Sequence, residues 1–374
     1  MAYRRFPYEK MKALSIEIFR SYGYDAKESE LIADVITTAD LFGIESHGVN
    51  RLNLYPHGID IGRIKTGVRT EIVYKTAVSA VMDAHDGEGH IASREAMELA
   101  IHMAKENGIG MVTVRNSNHF GIAGYYTRMA LKEGMMGICM TNTEALIVPT
   151  NGKKPMLGTN PIAVSMPAQP IPYNLDMATS VVPGGKLEVY AKNQKPLPGE
   201  WLVDPDGVES TDPNVFLKIR KEKETGGILP LGGFGEIHGG HKGFGLGLLV
   251  ELMTGSFAGG ANSDGVRVVK NREKCCHFFA AIDLNIFGDR EKIIKEFSEY
   301  LMRVRNSEKA QGCSRIYTPG EKEAENEEKV RREGIAVNEP TLKEIVELCE
   351  KCGIDPGKYL DIQEGQEWIM QRNL

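Results

Sequence analysis

Two clusters built around a histidine carry the chemistry that this sequence offers. The first is Ser46-His47-Gly48, followed by Arg51. An imidazole titrates near neutrality and can take up and return a proton. A guanidinium presents a planar fork that matches a carboxylate. Together they suit a substrate with a hydroxyl beside a carboxylate. The spacing alone also fits a capping serine, a solvent-facing histidine and a surface arginine. The second cluster is Asn116-Ser117-Asn118-His119-Phe120-Gly121. Polar side chains packed around one histidine, with a glycine that permits close backbone approach, fit an active-site loop. They equally fit a turn whose Asn and Ser side chains satisfy its own backbone. Asp176, in Asn174-Leu175-Asp176-Met177, ends an apolar strand. It could orient a catalytic imidazole, or cap the segment that follows it.

Gly239-Gly240-His241-Lys242-Gly243 leads into an apolar helix whose only later charge is Glu251. That helix is expected to be buried. A glycine-rich helix entry with a lysine can hold a phosphate through backbone N–H groups. Yet the chain contains neither GxGxxG nor GxxxxGK[ST], so a doubly wound nucleotide domain is not supported. His238 and His241, and the run Cys275-Cys276-His277, lack partners at zinc-site spacing, and no metal is expected. Cys349 and Cys352 end a helix rather than opening one after a strand, which argues against a redox motif.

The elements that must position these groups change character along the chain. Met11, Leu14, Ile18 and Phe19 mark one face of a first helix. Asp25 and Glu28 have capping-box spacing at the start of a second, which Gly43 ends. From about Ser79 strands and helices alternate: a strand to Ala84, a helix over Ile91 to Glu106, then strands at Met111 to Val114 and Met136 to Thr141. Further strands are expected at Pro161 to Met166, Tyr173 to Met177 and Phe278 to Leu284. Lys192 to Leu231 reads as a long surface excursion. The fold class is α/β (α+β): a helical domain from residues 1–75 and 305–374, around an inserted α/β domain of 76–304.

At 374 residues, 41% hydrophobic and 26% charged, the chain has an ordinary globular composition and room for a sizeable core. Its net charge of −6 and the lack of any basic block exclude nucleic-acid binding. The N-terminal segment has no apolar h-region and no apolar run is long enough to span a bilayer, so neither a signal peptide nor a membrane partner is expected. Six cysteines without a secreted framework point to free thiols and a cytoplasmic location.

Taken in order, the segments GIESHGVNRL (43–52), NSNHFGIAGYY (116–126), LGTNPIAV (157–164), LDMATS (175–180), GHKGFGLGL (240–248) and TPGE (318–321) resemble the type-2 malate/L-lactate dehydrogenase family. That family also contains sulfolactate and ureidoglycolate dehydrogenases. The resemblance implies a fold unrelated to the Rossmann dehydrogenases, a bound NAD or NADP, and a homodimer. It implies that His47 or His119 moves the proton, with His47 favoured and Asp176 as an orienting partner. It implies further that Arg51 binds the substrate carboxylate, with Ser46 and Tyr55 beside it. The cofactor would be lined by Asp176, Met177, Ala178, Thr179, Ser180, His241, Lys242, Pro319, Gly320 and Glu321. Pro183-Gly184-Gly185-Lys186 departs from the family's pattern and leaves contacts after Ser180 open. The expected activity interconverts a small 2-hydroxy acid and its 2-oxo acid, malate and oxaloacetate first. Lactate, sulfolactate or a cyclic imino acid are the alternatives within the family. A metal-dependent lyase or hydrolase, or a non-catalytic nucleotide-binding scaffold, are the alternatives outside it.

Overall fold

A computed structural model describes residues 3–192, 194–222 and 225–360. Residues 361–374, the end of the expected helical domain, lie outside them. The chain divides into two compact units, Met1–Ile61 with Glu321–Leu374, and Gly62–Gly320.

The first unit begins with β1 (Tyr3–Phe6), α1 (Tyr8–Ser21), α2 (Ala26–Leu41) and α3 (Leu54–Asp60). Met11, Leu14, Ile18 and Phe19 are fully buried, as their spacing requires. Asp25 accepts from the Lys27 and Glu28 amides while the Glu28 carboxylate accepts from Asp25 N at 3.0 Å, closing the capping box. A cap of this kind contributes about 1 kcal/mol.

In the second unit the chain runs through β2 (Glu71–Lys75), β3 (Ser79–Asp83), α4 (Gly89–Asn107), β4 (Ile109–Ser117), α5 (Ala123–Lys132), β5 (Met136–Thr141), β6 (Ile162–Met166) and β7 (Tyr173–Met177). Next come α6 (Gly184–Lys192), β8 (Leu202–Val203), β9 (Glu209–Ser210), α7 (Pro213–Glu222), β10 (Gly227–Ile228), α8 (Gly240–Glu251), β11 (Cys275–Ile282) and α9 (Arg290–Arg305). A seven-stranded mixed sheet has the order β2-β3-β4-β11-β5-β6-β7, with β3 and β4 parallel and the other neighbours antiparallel. Strand β11, near its centre, is buried on both faces. Phe279 and Ala281 pack with the Ala- and Met-rich faces of α4 and α5, whereas Phe278 and Ala280 pack with Val250 of α8. This alternation follows from the two-residue period of a strand.

The chain then returns to the first unit through α10 (Glu321–Glu333), β12 (Ile335–Asn338) and α11 (Glu339–Cys352). Antiparallel pairing of β1 with β12 ties the two chain ends together. Residues 62–75 group with the sheet unit because β2 pairs with β3. Residues 305–320 do so too, where Asn174 N donates to Pro319 O at 3.1 Å.

Two expectations need correction. The stretch from Lys192 to Leu231 is no surface excursion: β8, β9 and β10 form a small antiparallel sheet. Leu197, Leu202, Phe216 and Ile228 make its core with Leu187 of α6. Helix α8 is not buried all round either, since Leu246, Leu248 and Leu249 are 37–47% exposed.

Candidate active site

The Ser46-His47-Arg51 cluster occupies two successive 3-10 turns, Glu45–His47 and Val49–Arg51, directly after α2. The Ser46 hydroxyl and His47 Nδ1 lie 2.9 Å apart, and Arg51 Nε donates to Ser46 O at 2.9 Å. The carbonyl of the serine therefore orients the guanidinium, and its hydroxyl orients the imidazole. Beneath the turn lies Asp40, from the last turn of α2 and only 6% exposed. Val49 N donates to its Oδ2 at 2.9 Å. A Cβ on Gly48 would overlap the same carboxyl group. Burial, with the negative charge of Glu45, pushes the Asp40 carboxyl up to about 8, against a helping bond from Val49 N. Burial and the neighbouring Arg51 charge push His47 down to about 4. His47 itself is half-buried. Tyr55 is fully buried, its ring 6.3 Å from that of Phe19.

His119 belongs to the second unit, on the loop between β4 and α5. Three observations fix this loop. Asn118, buried, donates through Nδ2 to Asp86 O (2.9 Å) and Gly87 O (2.8 Å). Phe120 stacks on Tyr126 with centroids 5.1 Å apart and lies 4.5 Å from the ring of the fully buried His277, while Tyr126 OH donates to Phe120 O at 2.6 Å. Gly89 lacks the Cβ that would strike the carbonyls of Asn118 and His119. Gly121 N donates to His119 Nδ1 at 3.3 Å, and His119 is half-buried. Asp176, exposed near the end of β7, accepts from Gly124 N at 2.7 Å. It thus caps the start of α5. Its negative charge sits where a helix N-terminus favours one.

The remaining sequence candidates fall into two kinds. His241 and Lys242 are exposed in the first turn of α8, which has no side-chain cap. Met177 and Ala178 are half-buried and Pro319 is exposed. Thr179, Ser180, Gly320 and Glu321 are buried. Thr179 Oγ1 donates to Thr159 O at 3.2 Å and Ser180 Oγ to Val182 O at 2.9 Å, so both hydroxyls serve the fold. Gly320 has φ 101°, a conformation that a side chain would strain.

A family model described as malate/L-lactate dehydrogenase matches residues 6–346. The chain belongs to this family. A malate dehydrogenase of Pyrococcus horikoshii is 38% identical over 94% of this chain and 97% of its own. An L-sulfolactate dehydrogenase of Methanocaldococcus jannaschii is 36% identical over 94% and 98%. The crystal structure of a malate dehydrogenase from Entamoeba histolytica superposes with a TM-score of 0.91 at 33% identity, covering 95% of this chain and 99% of that one. The protein is accordingly a 2-hydroxy-acid dehydrogenase, with the α/β fold of that family.

A malate/L-lactate dehydrogenase implies a nicotinamide cofactor, and the residues here fit one. The uncapped first turn of α8 leaves its leading amides without a side-chain acceptor, beside the exposed Lys242. Those are the groups a pyrophosphate takes. Among the described residues no group of three or more His, Cys, Asp or Glu could hold a metal ion. Two residues of consequence were not singled out from the sequence. Asp40 carried one signal, an acid on the apolar side of α2. Asn160 carried none beyond its place in Leu157-Gly158-Thr159-Asn160, yet it takes the left-handed conformation at φ 39°.

Proposed function

We propose that this dehydrogenase interconverts malate and oxaloacetate with NAD or NADP. The turn that joins His47, Ser46 and Arg51 carries the reading. It offers a guanidinium whose Nε is already oriented, and an imidazole that burial and charge keep neutral at physiological pH. Arg51 takes the substrate carboxylate and so fixes C2 for loss of its hydrogen as hydride. His47 accepts the hydroxyl proton through Nε2 while Ser46 holds Nδ1. When bound, the nicotinamide supplies the hydride acceptor. His119 is the second candidate for the proton, and Asp176 caps the helix that follows its loop. Acid–base help of this kind contributes on the order of 10²–10⁴ in rate.

The malate reading is supported by relatives named malate dehydrogenase at 38% and 40% identity. Sulfolactate is the second reading, because relatives named for it are 34–36% identical over nearly all of the chain. Six free cysteines support a reducing, cytoplasmic setting. The exposed apolar face of α8, continued by Leu252 and Phe257, supports a homodimer.

Oxaloacetate, sulfopyruvate, pyruvate and a cyclic imino acid, each with NADH and with NADPH, form the deciding panel. Oxaloacetate is expected to give the highest kcat/KM; preference for another acid overturns the substrate. For the residue roles, His47→Asn is expected to lower kcat by about 10² or more. Turnover within about threefold of wild type in both His47→Asn and His119→Asn would remove both histidines from the mechanism.

A further inference from the structure

Helix α8 ends on Glu251, and the chain leaves it through a single π-turn, Leu252–Ser256. Turns of this kind are rare and recur at functional positions. Glu251 is 6% exposed. Its Oε1 accepts from Asn160 Nδ2 at 2.7 Å and from the Ser263 hydroxyl, and its Oε2 accepts from Ser263 N at 3.0 Å. Removing a carboxylate from water is costly unless donors replace that water. Here the replacements come from two loops distant in sequence.

Asn160 extends the connection. Its Nδ2 also donates to Gly247 O (3.2 Å), and its Oδ1 accepts from Thr143 N (3.3 Å). Its carbonyl accepts from Thr179 Oγ1 at 3.2 Å, and the adjacent Thr159 O accepts from Thr179 N at 2.9 Å. Ser263 Oγ in turn accepts from Gly158 N at 2.9 Å. The chain of bonds therefore runs from α8, through Leu157-Gly158-Thr159-Asn160, to Thr179 in the segment following β7.

We propose that Glu251 is the positioning residue that sets α8 and the segment 176–180 in one fixed register, and so shapes the cofactor site. The inference rests on the reading that these two segments line the cofactor. A carboxylate is needed because it only accepts. Glutamine has the same shape, but its NH2 would face Asn160 Nδ2 or Ser263 N, both of which only donate. One such mismatch loosens both cofactor-lining segments together while leaving His47, Arg51 and His119 untouched.

Glu251→Gln is the test, with Ser263→Ala as a milder second variant that removes one hydroxyl. Titration of NAD(P)H fluorescence is expected to show about tenfold weaker binding in Glu251→Gln, the loss typical of one broken buried hydrogen bond. In turnover the cofactor KM rises while kcat and the 2-oxo-acid KM stay within about twofold, the signature of lost uniform binding. Hydrogen exchange of the cofactor-free protein is expected to speed up at the Thr179 amide in both variants. A folded variant with wild-type cofactor affinity and unchanged exchange at Thr179 overturns the proposal, whatever its melting temperature. So does a fall in kcat with cofactor binding intact. Failure of the wild type itself to bind NAD(P)H would instead overturn the cofactor reading, and the exchange experiment would still decide the coupling through Glu251.

Discussion

Asp40→Asn tests whether the turn under His47 rests on a neutral carboxyl group. The carboxyl is 6% exposed, accepts one backbone bond, and is raised from 3.8 to about 8 by burial and by Glu45. A pKa raised on folding means that the folded state prefers the protonated form. The resulting stability is fully present below the unfolded value near 3.8 and is lost as pH rises through about 8. Across that window the group costs the wild type about 1.4 kcal/mol for each pH unit. Between pH 5 and pH 8 the loss is at most about 4 kcal/mol. Asparagine keeps an acceptor for Val49 N and carries no proton to lose. The difference in unfolding free energy between variant and wild type should therefore grow in favour of the variant from pH 5 to pH 8. Urea unfolding at several pH values in that range measures it. A difference that stays constant with pH would show that Asp40 is ionised in the fold, and the account of the turn would fail.

Three further outcomes are expected. Since burial and Arg51 hold His47 down at about 4, the acid limb of kcat/KM for hydroxy-acid oxidation should lie well below pH 6.5. Arg51→Gln should move that limb upward as well as weakening substrate binding, and a limb already at 6.5 in wild type contradicts the assignment. Gly48→Ala would push a methyl group into the Asp40 carboxyl, so a stability loss of about 1–3 kcal/mol is expected, visible as a lower urea midpoint. Asp176→Ala removes a charge-assisted bond to Gly124 N and should cost about 1 kcal/mol, with faster hydrogen exchange at the start of α5, whereas Asp176→Asn should recover most of it.

Much of the fold is written in periodicity. The faces of α1 and α2, the capping box of Asp25 and Glu28, and the alternation of strands and helices after Ser79 are all local patterns that tertiary contacts then confirm. The small sheet of β8, β9 and β10 escaped because strands of two residues are too short to show a period. Apolarity misled at α8 for a different reason. A helix that is apolar on every side fits a core, but it fits equally well a surface kept for another chain, and composition cannot separate the two. The site was legible as residue types and not as partners. Ser46, His47 and Arg51 were found together because they are adjacent in sequence. The capping bond of Asp176 joins β7 to α5 and leaves no trace at either position.

Two glycines, Gly48 within the first histidine cluster and Gly89 at the start of α4 beside the second, show why no larger residue can stand there. Gly48 has φ −83°, which any residue adopts, and Gly89 also avoids the left-handed region. Their requirement is therefore space rather than backbone freedom. At Gly48 the missing Cβ admits the Asp40 carboxyl; at Gly89 it admits the Asn118 and His119 carbonyls. At Gly48 the group that fills the space also holds the loop, through Val49 N; at Gly89 the loop so admitted is held by Asn118 Nδ2, which donates to Asp86 O and Gly87 O. Loops fixed in this way are rigid before a substrate arrives. Their orientation entropy is then lost on folding rather than at the transition state. Enlarging Gly89 should thus lower kcat more than it raises KM, because the damage is to the placement of the His119 imidazole, whereas enlarging Gly48 should change both, because Arg51 N donates to Gly48 O and Arg51 binds the acid from the same turn.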